Sequence, residues 1–474
     1  MKEIKIPLDR NELNENSIRP WIAEIMSIYF ENKSKYEHLK KIYEGKQEIL
    51  SKSRPYDNGT NNVIVENHVF SMVEFKKGYM YGSPVRYTGD ADVKNDDIGY
   101  LNKFFKDVDK YGKDIDLAED LYIAGAGYYI CLPKEVDNAK THAPFDLYKL
   151  DFKNTFVVYS SGISHEKLFG GVVTGLDNRP DTWKLTVYTD KQAITYKLWY
   201  KKKELQNEIL INQSIYLDNV PIIEYKLNNS RIGIVEIVET IQNAINMLTS
   251  SALDNIVDFV NSVLAIYNME VDDTTAEVIK NYGILGLNTV DASRPADAKY
   301  IVNALQQGDV DKRYERMVNV AYNLVGVPLA TTQSTSGGDT GQARLLGGGW
   351  TRADIVAQQD ERSITRGERE LLNIVLKICN SYPDCPINEI TANQIEVKFS
   401  RMKTDNLLVK TQSLQTLISM NMPKEVALNI VDLTTDNHEI ASLWEGEKDE
   451  STKETEQISE VKQIDKSEQI NEVE

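Results

Sequence analysis

The stretch Thr331-Thr-Gln-Ser-Thr-Ser-Gly-Gly-Asp-Thr-Gly341 contains no apolar side chain apart from the methyl groups of threonine. A segment of this composition has too little apolar surface to pack, so we predict that residues 331–341 form a solvated loop. Helical patterns flank the loop. Apolar residues recur every three or four positions over 306–326, and Pro328 is expected to close that helix. Residues 350–382 predict a much longer helix, so the chain is organised around two helices joined by a polar loop.

A further long helix is predicted over residues 233–262, where apolar residues recur at the same spacing. The apolar stripe includes Ile237, Ile241, Ile245 and Leu248. Two interpretations stay open at this point. Such a stripe fits the core of a helical bundle, and it also fits a helix that packs against copies of itself in a ring. Residues 263–305 lie between this helix and the helix over 306–326 and are predicted to form a small α/β module at the tip of the pair. Its predicted elements are strands over 263–268, 286–290 and 299–302 and a helix over 274–282.

The remainder of the chain predicts an α+β body with a largely antiparallel sheet. Residues 15–50, 63–80 and 98–124 have helical patterns, and the first of them carries an apolar stripe at Ile18, Ile22, Ile25, Met26 and Tyr29. The period changes to two between residues 145 and 225, where turn residues separate six candidate strands. Residues 394–401 are predicted to form a strand that returns to the sheet. Short helices are expected over 407–420 and 424–430. The acidic end of the chain has too few apolar residues to pack and is expected to be disordered.

Composition limits the classes of function. A chain of 474 residues is too long for one hydrophobic core. The formal net charge of −18 argues against a protein that holds nucleic acid by neutralising phosphates, but it is compatible with DNA that slides past. We expect no membrane span and no secretory signal, because no apolar run has the length or position of either. The cysteines Cys131, Cys379 and Cys385 are too few for a disulfide framework and fit a reducing cytoplasm.

Motifs of catalysis are missing from the sequence. The segment Gly337-Gly-Asp-Thr-Gly-Gln342 lacks the lysine of a phosphate-binding loop, no G-x-S-x-G elbow occurs, and none of the five histidines begins an H-E-x-x-H motif. The pair Gly125-Ala-Gly127 is interpreted as backbone freedom, because a nucleotide loop needs a third glycine and a strand-to-helix order. We therefore expect no enzyme activity, no cofactor and no metal site.

Two interpretations of the polar loop remain. It fits the solvated surface loop of a monomeric helical protein. It also fits a conduit, in which several copies surround an axis and their loops project into the hole. Short side chains without clustered cations suit the passage of a polyanion without capture, and Arg344 is the nearest cation.

Four stretches resemble the portal proteins of long-tailed bacteriophages. Residues 62–87 resemble the family's helix followed by a GYxxGxPV element, here Gly78-Tyr-Met-Tyr-Gly-Ser-Pro-Val85. The stretch Ser336-Gly-Gly-Asp-Thr-Gly-Gln-Ala343 falls where that family has its SG-x-AL tunnel loop. Ile395-Glu-Val-Lys-Phe-Ser-Arg401 resembles the returning strand, and Pro423-Lys-Glu-Val-Ala-Leu428 resembles the SKETAL crown segment. The matches occur in the family's order over most of the chain.

The resemblance implies an α+β portal fold that assembles into a ring, expected to be a dodecamer. It implies a wing over 1–232 and 383–401, stem helices over 233–262 and 306–330, a clip over 263–305, a tunnel loop over 331–349, a channel helix over 350–382, a helical crown over 402–445 and a disordered acidic tail over 446–474. Two departures from the family pattern add expectations. The Gly347-Gly-Gly349 run lengthens the loop, and Gly367 kinks the channel helix.

The resemblance also implies a function. A terminase motor would drive double-stranded DNA through a non-enzymatic ring at one capsid vertex, and the ring would retain the genome and release it at ejection. Further partners would be the major capsid or scaffolding protein and a head-completion adaptor at the clip, with no membrane. The protein would be a virion component assembled in the host cytoplasm. The alternative is a non-viral oligomeric scaffold or adaptor without DNA translocation.

The resemblance assigns two sets of residues. The DNA-channel loop would be lined by Thr331, Gln333, Ser334, Ser336, Gly337, Gly338 and Gln342, with Arg344 as an occasional phosphate contact. Packing between stems of neighbouring subunits would use Ile237, Ile241, Ile245 and Leu248.

Overall fold

The structure is a computed structural model. It describes residues 1–53, 60–89, 93, 95–136, 139–175, 182–215, 217–260, 263–267, 297–301, 307–329, 350–387, 390–401, 407–420 and 422–431. The chain divides into two compact units. Unit 1 comprises Met1–Glu37, Val73–Gly233 and Ala357–Glu474, and unit 2 comprises His38–Met72 and Ile234–Val356.

The described strands are, in chain order, β1 Ile4–Ile6, β2 Arg86–Gly89, β3 Ala126–Pro133, β4 Phe145–Leu150, β5 Thr155–Ser160, β6 Lys167–Gly175, β7 Thr182–Tyr188, β8 Gln192–Lys201, β9 Glu204–Ser214, β10 Ile222–Lys226, β11 Val263–Tyr267, β12 Asp297–Ile301 and β13 Ile395–Lys398. The described α-helices are α1 Glu15–Ile18, α2 Ile22–Tyr43, α3 His68–Tyr81, α4 Asn95–Asp107, α5 Lys110–Ala124, α6 Ile234–Val260, α7 Gln307–Val325, α8 Trp350–Asn380, α9 Leu407–Ser419 and α10 Lys424–Val431. The predicted mixture of helix and sheet is confirmed.

A six-stranded sheet forms the largest layer of unit 1, with strand order β1-β5-β6-β7-β8-β9. Its pairs from β5 to β9 are antiparallel, as the period of two predicts, whereas β1 runs parallel to β5. The apolar stripe predicted for the first helix packs on this sheet. Ile22, Ile25 and Tyr29 lie in one buried cluster with Phe169 and Leu185. A second sheet has the order β10-β3-β4.

Three local predictions need correction. The strand predicted to return to the main sheet, β13, pairs instead with β2 in a separate two-stranded sheet. The helix predicted over 98–124 is two helices. Asp109 separates them with a left-handed φ of 49° and caps the second helix by accepting a hydrogen bond from the N–H of Gly112. The helix predicted from residue 63 begins at His68, because the residues before it are extended and hydrogen-bonded to α6.

Unit 2 is built on α6 and α7, which pack against each other and confirm the two helices predicted over 233–262 and 306–326. Strands β11 and β12 form an antiparallel pair, confirming the predicted strands over 263–268 and 299–302. The helix predicted over 274–282 and the strand over 286–290 lie outside the described residues.

The C-terminal helices α9 and α10 confirm the two short helices predicted around Pro423. Leu414, Ala427, Leu428 and Val431 bury their side chains together between them. None of the described helices combines the length and the apolar composition that a membrane span requires.

Candidate functional site

The predicted channel loop lies outside the described residues, so its lining residues are not placed. These are Thr331, Gln333, Ser334, Ser336, Gly337, Gly338, Gln342 and Arg344, and the Gly347-Gly-Gly349 run lies outside the described residues with them. The structure does describe both flanks of the loop, at the end of α7 and the start of α8. Those flanks set where the loop must begin and end.

The helix before the loop ends in a Schellman motif. The N–H of Gly326 donates to the carbonyl of Asn323 over 3.3 Å, and the N–H of Val327 donates to the carbonyl of Tyr322 over 3.0 Å. Gly326 has a φ of 66°, a conformation in which a side chain would be strained. Gly326 therefore ends α7 two residues before Pro328, the residue predicted from the sequence to close it.

The two flanks of the loop meet within unit 2. A Cβ atom on Gly326 would lie 2.8 Å from Cγ2 of Val356 on α8. The absent side chain lets the end of α7 approach α8 closely. Gly326, directly after α7, and Val356, in the second turn of α8, are therefore close neighbours.

An extended segment, residues 60–66, lies along α6, and we call it the strap. Alternate backbone N–H groups of the strap donate to every fourth side chain of the helix. The pairs are Asn62 to Oδ1 of Asp254 at 2.7 Å, Ile64 to Oγ of Ser250 at 3.0 Å and Glu66 to Oδ1 of Asn246 at 3.0 Å. Two extended residues advance about 6.7 Å and four helical residues advance about 6 Å, so the two repeats nearly match.

The strap covers a polar face of α6. Gln242, Asn246, Ser250 and Asp254 are each at most 1% exposed. Gln242 donates to the carbonyl of Glu66 at 2.6 Å, and Lys52 forms a 2.6 Å ion pair with Asp254. Hydrophobic periodicity does not reveal this face, because the buried side chains are polar. The signal was present as a run of hydrogen-bonding side chains at intervals of four.

The apolar stripe predicted for stem packing is only partly available to a neighbouring subunit. Ile237 is 41% exposed, and Ile241 and Leu248 are half-buried. Ile245 is fully buried within its own subunit and offers no free surface. Further exposed apolar side chains lie on the same two helices, namely Met247 and Ile256 on α6 and Val320 and Leu324 on α7. Packing between subunits through this surface stays a prediction.

A buried ionic network holds α8 in unit 1. The carboxylate of Glu368 is fully buried and accepts hydrogen bonds from Lys110 at 2.9 Å, Tyr87 at 2.6 Å and Tyr225 at 3.2 Å. Lys110 also pairs with Asp114 at 2.8 Å. Burial raises the pKa of Asp114, the positive charge of Lys110 lowers it, and the negative charge of Glu368 raises it. Together these effects leave the pKa of Asp114 above its ordinary value. Breaking such a network leaves an uncompensated buried charge, which is strongly destabilising.

Gly367 lies beside this network and serves close packing. A Cβ atom there would lie 2.7 Å from Cδ1 of Tyr225. Helix α8 is continuous through Gly367, and the expected kink stays a prediction.

The Gly125–Gly127 pair is also structural, as expected. Gly125 caps α5 with a φ of 80°, and a Cβ on Gly127 would meet Leu117.

The groups that could carry other chemistry are buried or scattered. Cys131, Cys379 and Cys385 are free and buried. Within the described ranges, no group of three or more histidine, cysteine, aspartate or glutamate side chains is arranged to hold a metal ion.

A family model decides the class of the protein. The family described as "Phage portal protein, SPP1 Gp6-like" matches residues 22–454, which is most of the chain. The chain belongs to the phage portal protein family. This portal protein forms the channel at a capsid vertex and is a component of the virion. Its oligomeric form is a homo-oligomeric ring.

The fold also resembles solved structures of gene transfer agent (GTA) particles. The matches are "Neck of empty GTA particle computed with C6 symmetry" at 10% identity and TM-score 0.45, "Virion of native gene transfer agent (GTA) particle" at 11% and 0.44, and "Neck of native GTA particle computed with C12 symmetry" at 11% and 0.45. Each covers 77% of this portal protein and 90% of the matched chain. With TM-scores below 0.5, these similarities add nothing to the family match. No curated protein matches the chain.

Proposed function

We propose that this portal protein forms a dodecameric ring that conducts double-stranded DNA. A terminase motor drives the DNA through the ring during packaging, and the ring then retains the genome and releases it at ejection. The observation that carries the proposal is the family match over residues 22–454. The flanks that meet at Gly326 and Val356 support it, because each subunit can then project residues 331–349 as one loop.

The proposed lining of the channel is Thr331, Gln333, Ser334, Ser336, Gly337, Gly338 and Gln342, with Arg344 as a phosphate contact. Short, uncharged side chains give a moving polyanion little to bind, since phosphate affinity comes from lysine and arginine. The ring itself is not an enzyme in this proposal, and ATP hydrolysis belongs to the terminase. The clip over 263–305 would dock the head-completion adaptor, and assembly with the capsid or scaffolding protein would take place in the host cytoplasm.

Deleting residues 334–340 tests the proposal. We expect rings to assemble, because both flanks of the loop are held outside the deletion, and we expect packaging or retention of DNA to fall. The control replaces 334–340 with a glycine–serine segment of equal length, which keeps the length of the loop and its small side chains and should package DNA. The measurements are negative-stain imaging of the rings and nuclease-protected DNA per particle. Normal packaging and retention by the deletion variant would contradict the proposal.

A further inference from the structure

Helix α8 exposes three arginines on one face in unit 1. Arg362, Arg366 and Arg369 are spaced four and three residues apart, so they lie above one another on the helix, and we call them the arginine row. All three side chains are exposed. Within the described part of the chain, the structure gives none of them a hydrogen bond or an ion pair.

The other charged side chains of this part of α8 are compensated, which sets the arginine row apart. The pairs are Asp360 with Lys76, Glu361 with Arg401, Glu368 with Lys110, Glu370 with Lys167 and Lys377 with Asp218. The helix therefore carries three uncompensated positive charges along one exposed face. They occur in a protein whose formal net charge is −18.

Most exposed neighbours of the arginine row are neutral hydrogen-bonding groups, and the exception, Glu370, is paired with Lys167. Gln358, Gln359 and Asn373 are all exposed. Guanidinium groups bind phosphate in a bidentate manner, and amide side chains commonly donate to phosphate and sugar oxygens. From Arg362 to Arg369 the row spans about 10 Å along the helix, which brings more than one phosphate of a DNA strand within reach.

We propose that the arginine row binds the phosphate backbone of double-stranded DNA. This inference rests on the proposed function and identifies the face of the channel helix that meets the DNA. Contacts from exposed arginines are screened by salt, so each is weak and reversible. These arginine–phosphate contacts hold DNA near the wall of the channel, and a packaging motor can break them. No base is read, because phosphate contacts carry no sequence information.

An acidic surface on a second copy of the chain is the competing partner. The exposed carboxylates of α7 do not form such an acidic surface, because Asp309, Asp311 and Glu315 alternate along the helix with exposed cations. Those cations are Lys312, Arg313 and Arg316. A uniform row of arginines facing such a mixed surface would meet as much repulsion as attraction. DNA presents only negative charge, so the charge pattern favours DNA.

The test measures how the binding of assembled rings to a labelled 30-base-pair duplex depends on salt. The variant R362Q/R366Q/R369Q is expected to bind more weakly. Its plot of log affinity against log salt should be less steep, by about 0.9 in slope for each phosphate that is no longer neutralised. The matched control K312Q/R313Q/R316Q removes the same charge from the mixed face of α7 and should leave the slope unchanged. The variant R362K/R366K/R369K keeps the charge and should retain most of the slope.

Three outcomes would overturn the inference. The first is an unchanged slope in intact rings of the glutamine variant. The second is loss of rings in that variant while its DNA affinity stays unaltered, which would assign the row to a second copy. The third is no measurable binding of DNA by the unaltered ring. None of these is the outcome that defeats the proposed function, which is normal packaging and retention of DNA after deletion of 334–340.

Discussion

At the scale of single residues, the absence of a side chain decides how the loop flanks are placed. Gly326 and Gly367 lie where a neighbouring side chain occupies the space that a Cβ atom would need. Gly326 also has the left-handed conformation that the Schellman motif requires. From sequence, Pro328 was expected to end the helix before the loop, and Gly367 was expected to kink α8. The structure shows that both glycines allow close packing, Gly326 on Val356 and Gly367 on Tyr225.

Gly326→Ala should destabilise unit 2. A left-handed conformation costs a residue with a side chain roughly 1–2 kcal/mol, and the added methyl group would also press on Val356. The measurement is the free energy of unfolding from thermal or urea denaturation. Gly308→Ala is the matched control on the same helix. No atom lies within 4 Å of a Cβ there, so alanine should be neutral or stabilise by up to about 1 kcal/mol. Equal effects of the two substitutions would contradict the packing explanation.

Glu3 should make the stability of unit 1 depend on acid pH. Burial raises the pKa of Glu3. Hydrogen bonds from Lys5 and Arg231 and the charges of Arg231 and His165 lower it by a larger amount, so the pKa falls from its ordinary 4.5 to about 2. Because the folded pKa lies below the unfolded one, the carboxylate stabilises the fold above about pH 4.5 and loses this contribution as pH falls towards 2.

The check on Glu3 is urea denaturation between pH 2.5 and 6, comparing the unaltered protein with Glu3→Gln. The glutamine variant should be less stable at pH 6, and the difference should shrink towards pH 2.5. A difference that does not change with pH would show that the charge of Glu3 makes no contribution.

At the scale of elements, α6 divides its surface between a buried polar column and exposed apolar side chains. The polar column lies under the strap, whereas Ile237, Met247 and Ile256 are exposed at positions around the rest of the helix. Hydrogen bonds along the strap satisfy backbone groups that would otherwise be buried without partners. The helix is thereby held at its polar face by its own subunit, which leaves apolar surface free for another.

Ser250→Ala should loosen the strap. The N–H of Ile64 loses its acceptor, and an unsatisfied buried donor costs about 1–3 kcal/mol. Amide hydrogen exchange of the strap should accelerate, and the free energy of unfolding should fall. The neighbouring Ser251→Ala is the control, because that half-buried hydroxyl has no hydrogen bond to the strap. Unchanged exchange at Ile64 in the Ser250 variant would mean that the hydrogen bond contributes little.

At the scale of the whole molecule, we predict that the ring and the subunit depend on different apolar residues. Ile245 is fully buried in the subunit, whereas Ile237 is 41% exposed. We expect Ile237→Asp to leave the subunit folded and to prevent ring assembly, because a charge buried between subunits would be desolvated without a partner. Light scattering would give the mass of the particle, and circular dichroism would report the fold.

Ile163→Asp is the control for this substitution. Ile163 is fully exposed on unit 1 and belongs to no predicted interface, so its variant should form normal rings. Normal rings with Ile237→Asp would place the α6 stripe outside the contacts between subunits.

Periodicity predicted the long helices and most strands because amphipathic spacing is a local property of the chain. The apolar stripe of residues 18–29 and the period of two across 145–225 both describe one buried face, and both are confirmed. The strap was missed for the opposite reason. Its partners on α6 lie some 180 residues away, and a polar column buried by backbone N–H groups leaves no hydrophobic pattern.

The sequence by itself determined the class of the protein and the order of its parts, since composition, periodicity and motif order are carried by neighbouring residues. Tertiary structure alone decided which faces remain free. It buried Ile245 and exposed Ile237, paired the carboxylates of α8 with cations from other elements, and left the arginine row without a partner. Burial and charge compensation depend on residues far apart in the chain, so a local pattern cannot specify them.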